Sequence, residues 1–485
     1  MLNISKKLFS AWNDAGLLYC HWKSNEHLLP GLNGQTDLDV LLSLDDKVEG
    51  ERLLKNLDFL KCQSQVGSRY PGVNDWLGYD SATGSLIHLH LHYRLATGHK
   101  GIKEYSLLWS DMALHTRILN EQFGVYIMEP NLELVTLYTR IGLKADFMTL
   151  YQCRKGQFEL PSSTKQEVIW LKEKVDFDKV HSLVKTFFGN LSEAFYGILI
   201  KEKITAEDYQ NLRKITEYTF KKCSSVKSFL RVRELFFYAY QRWGIRAKSE
   251  FGPVITKKVP YSCLGVSIAF IGQDGSGKST VTKEINKWLS WKLEAKKFYL
   301  GSGDEFYNPW QKRLQRKFVG RKDIVSKLLQ SWLPFSYQLA SAKYVRKTIK
   351  SANRYTRKGG IALFDRYPQD QFLGINDGPK IREMLLPHVP NGLKWLAKLY
   401  AAREESIISD AVKINPSLVF KLQLSPEESI RRRPNDNIDV ITRKHNIVKA
   451  LEFPSSKVME ISAVQPYHEE LNQIKQEIWK EILKL

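Results

Sequence analysis

The feature that most restricts this chain is a strand that runs straight into a glycine-rich turn and out again into a helix. Val266-Ser267-Ile268-Ala269-Phe270-Ile271 is an apolar run rich in β-branched residues. Gly272-Gln273-Asp274-Gly275-Ser276-Gly277-Lys278-Ser279-Thr280 follows it and completes G-x-x-x-x-G-K-[ST]. A helical stretch, Val281 to Leu293, comes next. In this setting the glycines let consecutive backbone N–H groups turn inward around phosphate oxygens, and the helix N-terminus adds its positive dipole end. Lys278 is placed to neutralise β- and γ-phosphates, and the Ser279 hydroxyl to hold Mg²⁺. The pattern implies nucleoside triphosphate binding. The plain alternative is a glycine turn ahead of a structural helix.

From residue 264 onward strands and helices alternate. The strand candidates are Val266–Ile271, Lys297–Leu300, Ile361–Phe364, Leu418–Leu424 and Val458–Ile461. Alternation of this kind predicts an α/β fold, a five-stranded parallel sheet covered by helices on both faces. Ligands in such folds bind at the carboxyl ends of the strands. Gly272–Lys278, Gly301–Asp304 and Asp365-Arg366 all fall at those ends. Within Phe364-Asp365-Arg366-Tyr367, the carboxylate can hold a Mg²⁺-bound water while the guanidinium forks onto a phosphate.

Together these residues resemble the thymidylate kinase family of nucleoside monophosphate kinases, over roughly 264–485. That family carries G-x-[DE]-G-x-G-K-[ST]-T, matched by Gly272 to Thr280, and an Asp-Arg-Tyr matched by Asp365-Arg366-Tyr367. Its strand ending in Ser-Pro-Glu-Glu looks like Leu422-Gln423-Leu424-Ser425-Pro426-Glu427-Glu428, and Val458–Ala463 followed by His468–Leu485 fits its final strand and helix. The resemblance implies a kinase using ATP and Mg²⁺, with Lys278, Asp365, Arg366 and Arg432 as catalytic groups. Gly272, Asp274, Gly275, Ser276, Gly277, Lys278, Ser279 and Thr280 would hold nucleotide, with Asp274 reaching the acceptor's sugar. Ser279 and Asp365 would serve the metal, and Lys343 lies near where the family has an arginine on the acceptor phosphate. Arg431-Arg432-Arg433, with Arg443 beyond, occupies the position of a mobile lid, so that Arg431 and Arg433 also count as nucleotide contacts. Three arginines closing a helix favourably is the other reading. A homodimer is compatible with the resemblance.

Two departures fall in the acceptor half of the site. The family's Arg-Glu-Pro-Gly-Gly is replaced by Leu300-Gly301-Ser302-Gly303-Asp304, and Asp-Arg-Tyr is followed by Pro368-Gln369-Asp370. The expected small-molecule acceptor is a nucleoside monophosphate; a sugar or polyol intermediate is the alternative. A nucleotide-gated binding protein without catalysis is the third reading.

Near the start, Lys23-Ser24, a twelve-residue spacer and Asp37-Leu38-Asp39-Val40-Leu41-Leu42 resemble nucleotidyltransferase-fold enzymes, an α+β class. Their pattern is Gly-Ser, a similar spacer, then Asp-x-Asp entering an apolar strand. Alternation puts Asp37 and Asp39 on one strand face, where two carboxylates can hold Mg²⁺ against a triphosphate. The strand expected to bring a third acid reads Leu86-Ile87-His88-Leu89-His90-Leu91-His92, with His90 in the acid's place. These three histidines are either metal ligands or a half-buried polar strand face. Where the family has its glycine this chain has Trp22 or Lys23, so binding without transfer is expected.

At 485 residues two or three domains are expected. Residues 1–125 mix strands (Thr36–Leu44, Leu86–Leu95) with helices, and 126–250 are helical, with Leu132–Leu143, Lys165–Lys174, Phe177–Phe188 and Val226–Trp243 periodic. Residues 251–263 carry two prolines and no periodicity and read as a linker before the 264–485 kinase-like domain. Residues 1–125 hold 12 Lys and Arg against 14 Asp and Glu, leaving +23 on the remainder of a chain whose net charge is +21. That excess suits polyanions: nucleotides, nucleic acid or an acidic membrane surface. Because the runs Lys312–Lys327 and Lys343–Lys358 read as solvated amphipathic helices, nucleic acid is not favoured. Five scattered cysteines without a Cys-x-x-Cys pair argue against a disulfide scaffold or a zinc knuckle. With no transmembrane run and no secretory leader visible, the cytoplasm is the expected location.

Overall fold

The computed structural model of the chain describes residues 1–64, 70, 72–99, 102–144, 147–156, 158–225, 240, 255–300, 324–375, 377–435 and 437–485. The expected helix Val226–Trp243, the Gly301–Asp304 loop, the start of the linker and most of the Lys312–Lys327 run lie outside them. The chain divides into two units, Met1–Ala247 and Lys248–Leu485.

In the first unit, short strands pair into a mixed sheet. Its members are β1 (Tyr19–His21), β2 (Leu38–Leu42), β3 (Leu60–Gln63), β4 (Val73–Asp80) and β5 (Ser85–His92). After a separate ladder of β6 (Ala96–Thr97) with β7 (Tyr105–Ser106), β8 (Ile118–Asn120) and β9 (Val125–Ile127) complete it. The order is β3-β4-β5-β2-β1-β9-β8. Period-two alternation sorts the side chains. Leu38, Val40 and Leu42 of β2 and Ile87, Leu89 and Leu91 of β5 join one core with Phe9 and Trp12 from the helix Asn3–Asp14. The intervening positions, Asp39 and Leu41 on β2 and His88, His90 and His92 on β5, face the other way. On that side Cys20, Trp22 and Leu41 share a second core with the helices Pro130–Leu143, Ser162–Lys172, Phe177–Phe188, Ser192–Leu199 and Ala206–Thr219. Pro130–Leu143 is buried all round from Asn131 to Leu143, as befits a helix central to its layer, and it carries Asn131, Glu133 and Arg140 inward with its apolar residues.

In the second unit a two-residue strand, β10 (Val259–Pro260), precedes the sheet of β11 (Ser267–Gly272), β12 (Ala295–Phe298), β13 (Ile361–Phe364), β14 (Leu418–Gln423) and β15 (Lys457–Ser462). The five run in the order β12-β13-β11-β14-β15, every neighbour parallel. The central strands are apolar on both faces, as a doubly covered sheet requires. Phe270 and Phe420, in register, stack with ring centroids 5.3 Å apart. The edge strand begins two residues earlier than the apolar pattern suggests. Lys296 and Lys297 belong to it, and an edge accepts charges that a central strand excludes. Glu294, just before it, accepts from Thr256 N–H and Lys257 N–H (both 2.6 Å) and from the buried Tyr355 hydroxyl (2.6 Å). Those bonds tie the start of β12 to the end of the long helix Ile324–Thr356 that leads into β13. Among the described residues no helix is long and apolar enough to cross a membrane.

Candidate functional site

The glycine-rich turn leaves β11 at Gly272 and enters the helix Lys278–Leu289. A Cβ at Gly272 would sit 2.5 Å from Ser276 Oγ and 2.9 Å from the Leu422 carbonyl, so only glycine lets the turn close against β14. Gly275 and Gly277 lie at φ +83° and +85°, left-handed conformations that glycine adopts without strain. Gln273 anchors the turn from inside: its Nε2 donates to the Leu424 carbonyl and its Oε1 lies 3.0 Å from His445 Nδ1. Ser429 Oγ donates to the Asp274 carbonyl (2.8 Å).

Lys278 is buried, and its ammonium folds back to the Gln273 carbonyl at 2.7 Å. Burial, and then the neighbouring Arg366 guanidinium, push it down to about 8. Asp274 accepts from Lys444 Nζ. Although burial works the other way, that lysine holds its carboxyl below the usual range. Ser279 and Thr280 are exposed in the first helical turn.

One strand over, Asp365 and Arg366 leave the carboxyl end of β13. Asp365 is buried; Oδ2 accepts from Lys297 Nζ at 2.9 Å, while Oδ1 is buried with no hydrogen-bond partner among the described residues. Arg366 Nη1 lies 3.6 Å from Asp377 Oδ1. Burial pushes the Asp377 carboxyl up, against the pull of Arg366 and Lys380. Tyr367 turns inward and its hydroxyl donates to the Ile414 carbonyl, fixing the strand end. Asp274, Lys278, Arg366, Asp377, Lys380 and Lys444, among others, line a cavity of about 620 Å³.

The arginine run divides. Arg431 is 79 % exposed and forks onto Glu428 (2.7 and 2.8 Å). Arg432 donates to Glu428, to the Gly275 carbonyl (3.3 Å) and to the Ala463 carbonyl (2.9 Å), and so touches the turn itself. Arg433 closes the helix Pro426–Arg432 beside Gly275. Arg443 lines the cavity; Lys343 is exposed on its helix, and Gln338 from the same helix reaches the cavity instead. Sequence reasoning missed Asp377, Lys444 and Lys297. Asp377 had a signal, for Asp377-Gly378-Pro379 marks a turn and the residue sits at φ +63°. The two lysines had none.

In the first unit, strand register assembles the acids and histidines. Asp39 lies opposite His90 across β2–β5, and Asp75 opposite His90 across β4–β5. His88 Nδ1 is 2.7 Å from Asp37 Oδ1 and its Nε2 is 3.1 Å from Asp75 Oδ1. His90 reaches Asp39 (3.3 Å) and Asp75 (3.1 Å), and His92 Nε2 reaches Asp39 (3.2 Å). Lys23 Nζ also pairs with Asp39 at 2.8 Å. Burial opposes ionisation of Asp39, but Lys23 and the histidines hold it well below the usual carboxyl range. Burial lowers His88 against the pull of Asp37 and Asp75, and pushes His92 down to about 3. Asp75, on a strand without a motif, is the acid that the sequence did not reveal. Ser24, at φ +55°, gives its N–H (3.0 Å) and hydroxyl (3.2 Å) to Glu167. Beside it Asn25 donates to Glu133, which burial pushes up to about 8.

Sheet order, loop and cavity together define the second unit as a P-loop α/β region with a phosphate-binding turn. No family model matches the chain. The chain is similar to the uncharacterized ATP-binding protein YghR of Escherichia coli K12, 26% identical over 221 residues, spanning 42% of this chain and 84% of that protein. It is also similar to the uncharacterized ATP-binding protein YghS of the same organism, 23% identical over 225 residues, 42% of this chain and 87% of that protein. Among solved structures, a deoxyadenosine kinase from M. mycoides with dCMP and a flexible dCDP bound is 15% identical, covers 44% of this chain and 97% of its own, and superposes at a TM-score of 0.26.

Proposed function

We propose that the second unit binds ATP with Mg²⁺ and transfers the γ-phosphoryl group to a small acceptor, in the manner of thymidylate kinase-like enzymes. The observation that carries this reading is convergence. The buried Lys278 ammonium and the Arg366 guanidinium line one cavity at the carboxyl ends of adjacent strands, and the buried Asp365 carboxylate precedes Arg366 at the end of β13. Phosphoryl transfer needs little covalent help from protein; it needs positioned positive charge on the oxygens in flight. Lys278 supplies it on the donor side, Arg366 on the side facing Asp377 and Lys380, and Arg432 from the turn's outer edge. Mg²⁺ would neutralise phosphate charge, and the donor set fits it. Among the described residues Asp365 Oδ1 is buried without a partner, ready for a metal-bound water, and the Ser279 hydroxyl stands at the helix start. The ATP-binding names of the two relatives support the same ligand.

The test is turnover of the whole protein with ATP and a panel of nucleoside monophosphates, sugars and polyols. A phosphorylated nucleotide supports the monophosphate reading, and a sugar or polyol phosphate the alternative. ATP binding with no product from any acceptor would favour a nucleotide-gated binding protein.

The depressed Lys278 gives this reading a pH signature. A triphosphate is held by the ammonium form, so ATP binding carries a proton with it above about pH 8. The expected result is an ATP dissociation constant that is flat below about pH 8 and rises above it, by up to about tenfold per pH unit. Lys278→Arg, which keeps its charge, removes that rise. Calorimetric titrations between about pH 7 and about pH 9.5 decide it, and an unchanged slope in Lys278→Arg would assign the titration elsewhere.

We further infer that the first unit is a nucleotidyltransferase-like domain that transfers nothing. The acid expected opposite Asp39 is His90, which brings no negative charge for a second Mg²⁺, and the carboxylate nearby, Asp75, is engaged by His88 and His90. Ser24's donors are engaged by Glu167, a carboxylate that repels phosphate at that turn. Whole protein incubated with labelled nucleoside triphosphates and Mg²⁺ or Mn²⁺ is expected to show no nucleotide transfer. Transfer that vanishes in Asp37→Ala/Asp39→Ala would make the chain bifunctional.

A further inference from the structure

We propose that Asp37, His88 and His90 bind one divalent ion of the zinc–manganese class rather than the Mg²⁺ that the resemblance to nucleotidyltransferases implies. Magnesium takes oxygen ligands in near-ideal octahedral array and keeps its waters, so a donor set with two imidazoles does not fit it. Imidazole nitrogen is a good ligand for zinc and other first-row transition ions. Two groups of three are close enough to serve, Asp37–His88–His90 and Asp39–His90–His92, with the ligand atoms of each within 4.8 Å of one another. Both use His90, so one ion is expected, and access from solvent decides where it goes. Asp39 is already paired with Lys23 at 2.8 Å, and an ion there would have to drive the ammonium away. Asp37 is the more open of the two acids, its side chain 30 % exposed against 14 % for Asp39, so an ion reaches it from solvent at a smaller desolvation cost.

The geometry around the Asp37 group also has what a metal centre requires beyond its ligands. Asp75 Oδ1 lies 3.1 Å from His88 Nε2, opposite the nitrogen that faces Asp37, a carboxylate placed to orient that ring. His88 is fully buried on the sheet while the Asp37 side chain is 30 % exposed, which gives an ion a path from solvent. Two imidazoles and one carboxylate on neighbouring strands make a site with room for water or an anionic ligand. The competing account is a histidine–aspartate hydrogen-bond network that is complete without metal.

Cobalt(II) distinguishes the two, because imidazole ligation gives it visible absorption bands that a hydrated ion lacks. The whole protein, stripped with chelator and titrated with Co²⁺, is expected to take up one equivalent with those bands. Zn²⁺ should displace it, and excess Mg²⁺ should not. Asp37→Asn and His90→Gln should each weaken Co²⁺ binding by about tenfold or more. Asp37→Asn carries the test if His90→Gln fails to fold, since Asp37 is partly exposed. Absence of the bands, bands that persist at full affinity in Asp37→Asn, or displacement by Mg²⁺ would each overturn the proposal.

Discussion

Lys278→Ala is expected to slow phosphoryl transfer by about 10²–10³-fold while costing the protein a smaller share of its ATP affinity. The ammonium is buried, so its field on a phosphate is little screened by water. Charge builds on the bridging and γ-phosphate oxygens as the phosphoryl group leaves, and a fixed cation therefore helps the transition state more than the bound ground state. Binding survives in part because the cradle itself is backbone. Gly275 and Gly277 keep their left-handed turns, and Gln273 keeps its bond to the Leu424 carbonyl, neither of which needs the lysine side chain. In the free protein the substitution breaks the hydrogen bond to the Gln273 carbonyl, and water can take the ammonium's place there. Steady-state kinetics beside ATP titration separate the two effects. Transfer at the parent rate would remove the kinase reading altogether.

The phosphate loop is legible in the sequence because its chemistry is local. A backbone cradle needs glycines at fixed spacing, and the apolar run before it could only be a doubly buried strand. Ile361–Phe364 has legible ends for the same reason: four apolar residues closed by Asp365 leave little freedom. The partners of those residues are not legible. Lys444 meets Asp274 from 170 positions away, and Lys297 meets Asp365 from 68; no sequence spacing encodes either pair. Asp75 shows the same limit in the other sheet. It sits beside His90 because β4 pairs antiparallel with β5, and register is a property of the folded sheet rather than of the Asn74-Asp75-Trp76 stretch. Lys343 illustrates a subtler miss. Counting back from Asp365 locates the right helix, but rotation about that helix puts Gln338 at the cavity and Lys343 in solvent. The three arginines at 431–433 are readable as a group only. How they meet the turn depends on the end of a seven-residue helix: Arg432 donates to the Gly275 carbonyl and Arg433 lies beside Gly275.

Arg366→Ala is expected to separate the two halves of the site. Its guanidinium leaves β13 toward Asp377, on the wall of the cavity that Lys380 shares. Those positions are where an acceptor bearing a phosphate would place its negative charge, and a planar, always-charged fork suits such an oxyanion better than a point charge. Removing it should lower kcat/KM for the acceptor by about 10²-fold or more, the size of one charge-assisted hydrogen bond in a desolvated site. The ATP dissociation constant at neutral pH should change by less than about threefold, well under 1 kcal/mol. A second consequence follows from charge. Arg366 is one of the causes that depress Lys278, after burial, so removing it lets the ammonium titrate at higher pH. The rise of the ATP dissociation constant above about pH 8 should therefore begin later in Arg366→Ala than in the parent. Asp377, whose side chain is 27 % exposed, loses its guanidinium partner, and its carboxyl moves further up in consequence. Measuring acceptor kinetics and the pH course of ATP binding on the same variant keeps the assignments apart. Collapse of ATP affinity with acceptor dependence unchanged would move Arg366 to the donor side and leave the acceptor pocket to Lys380 and Lys444.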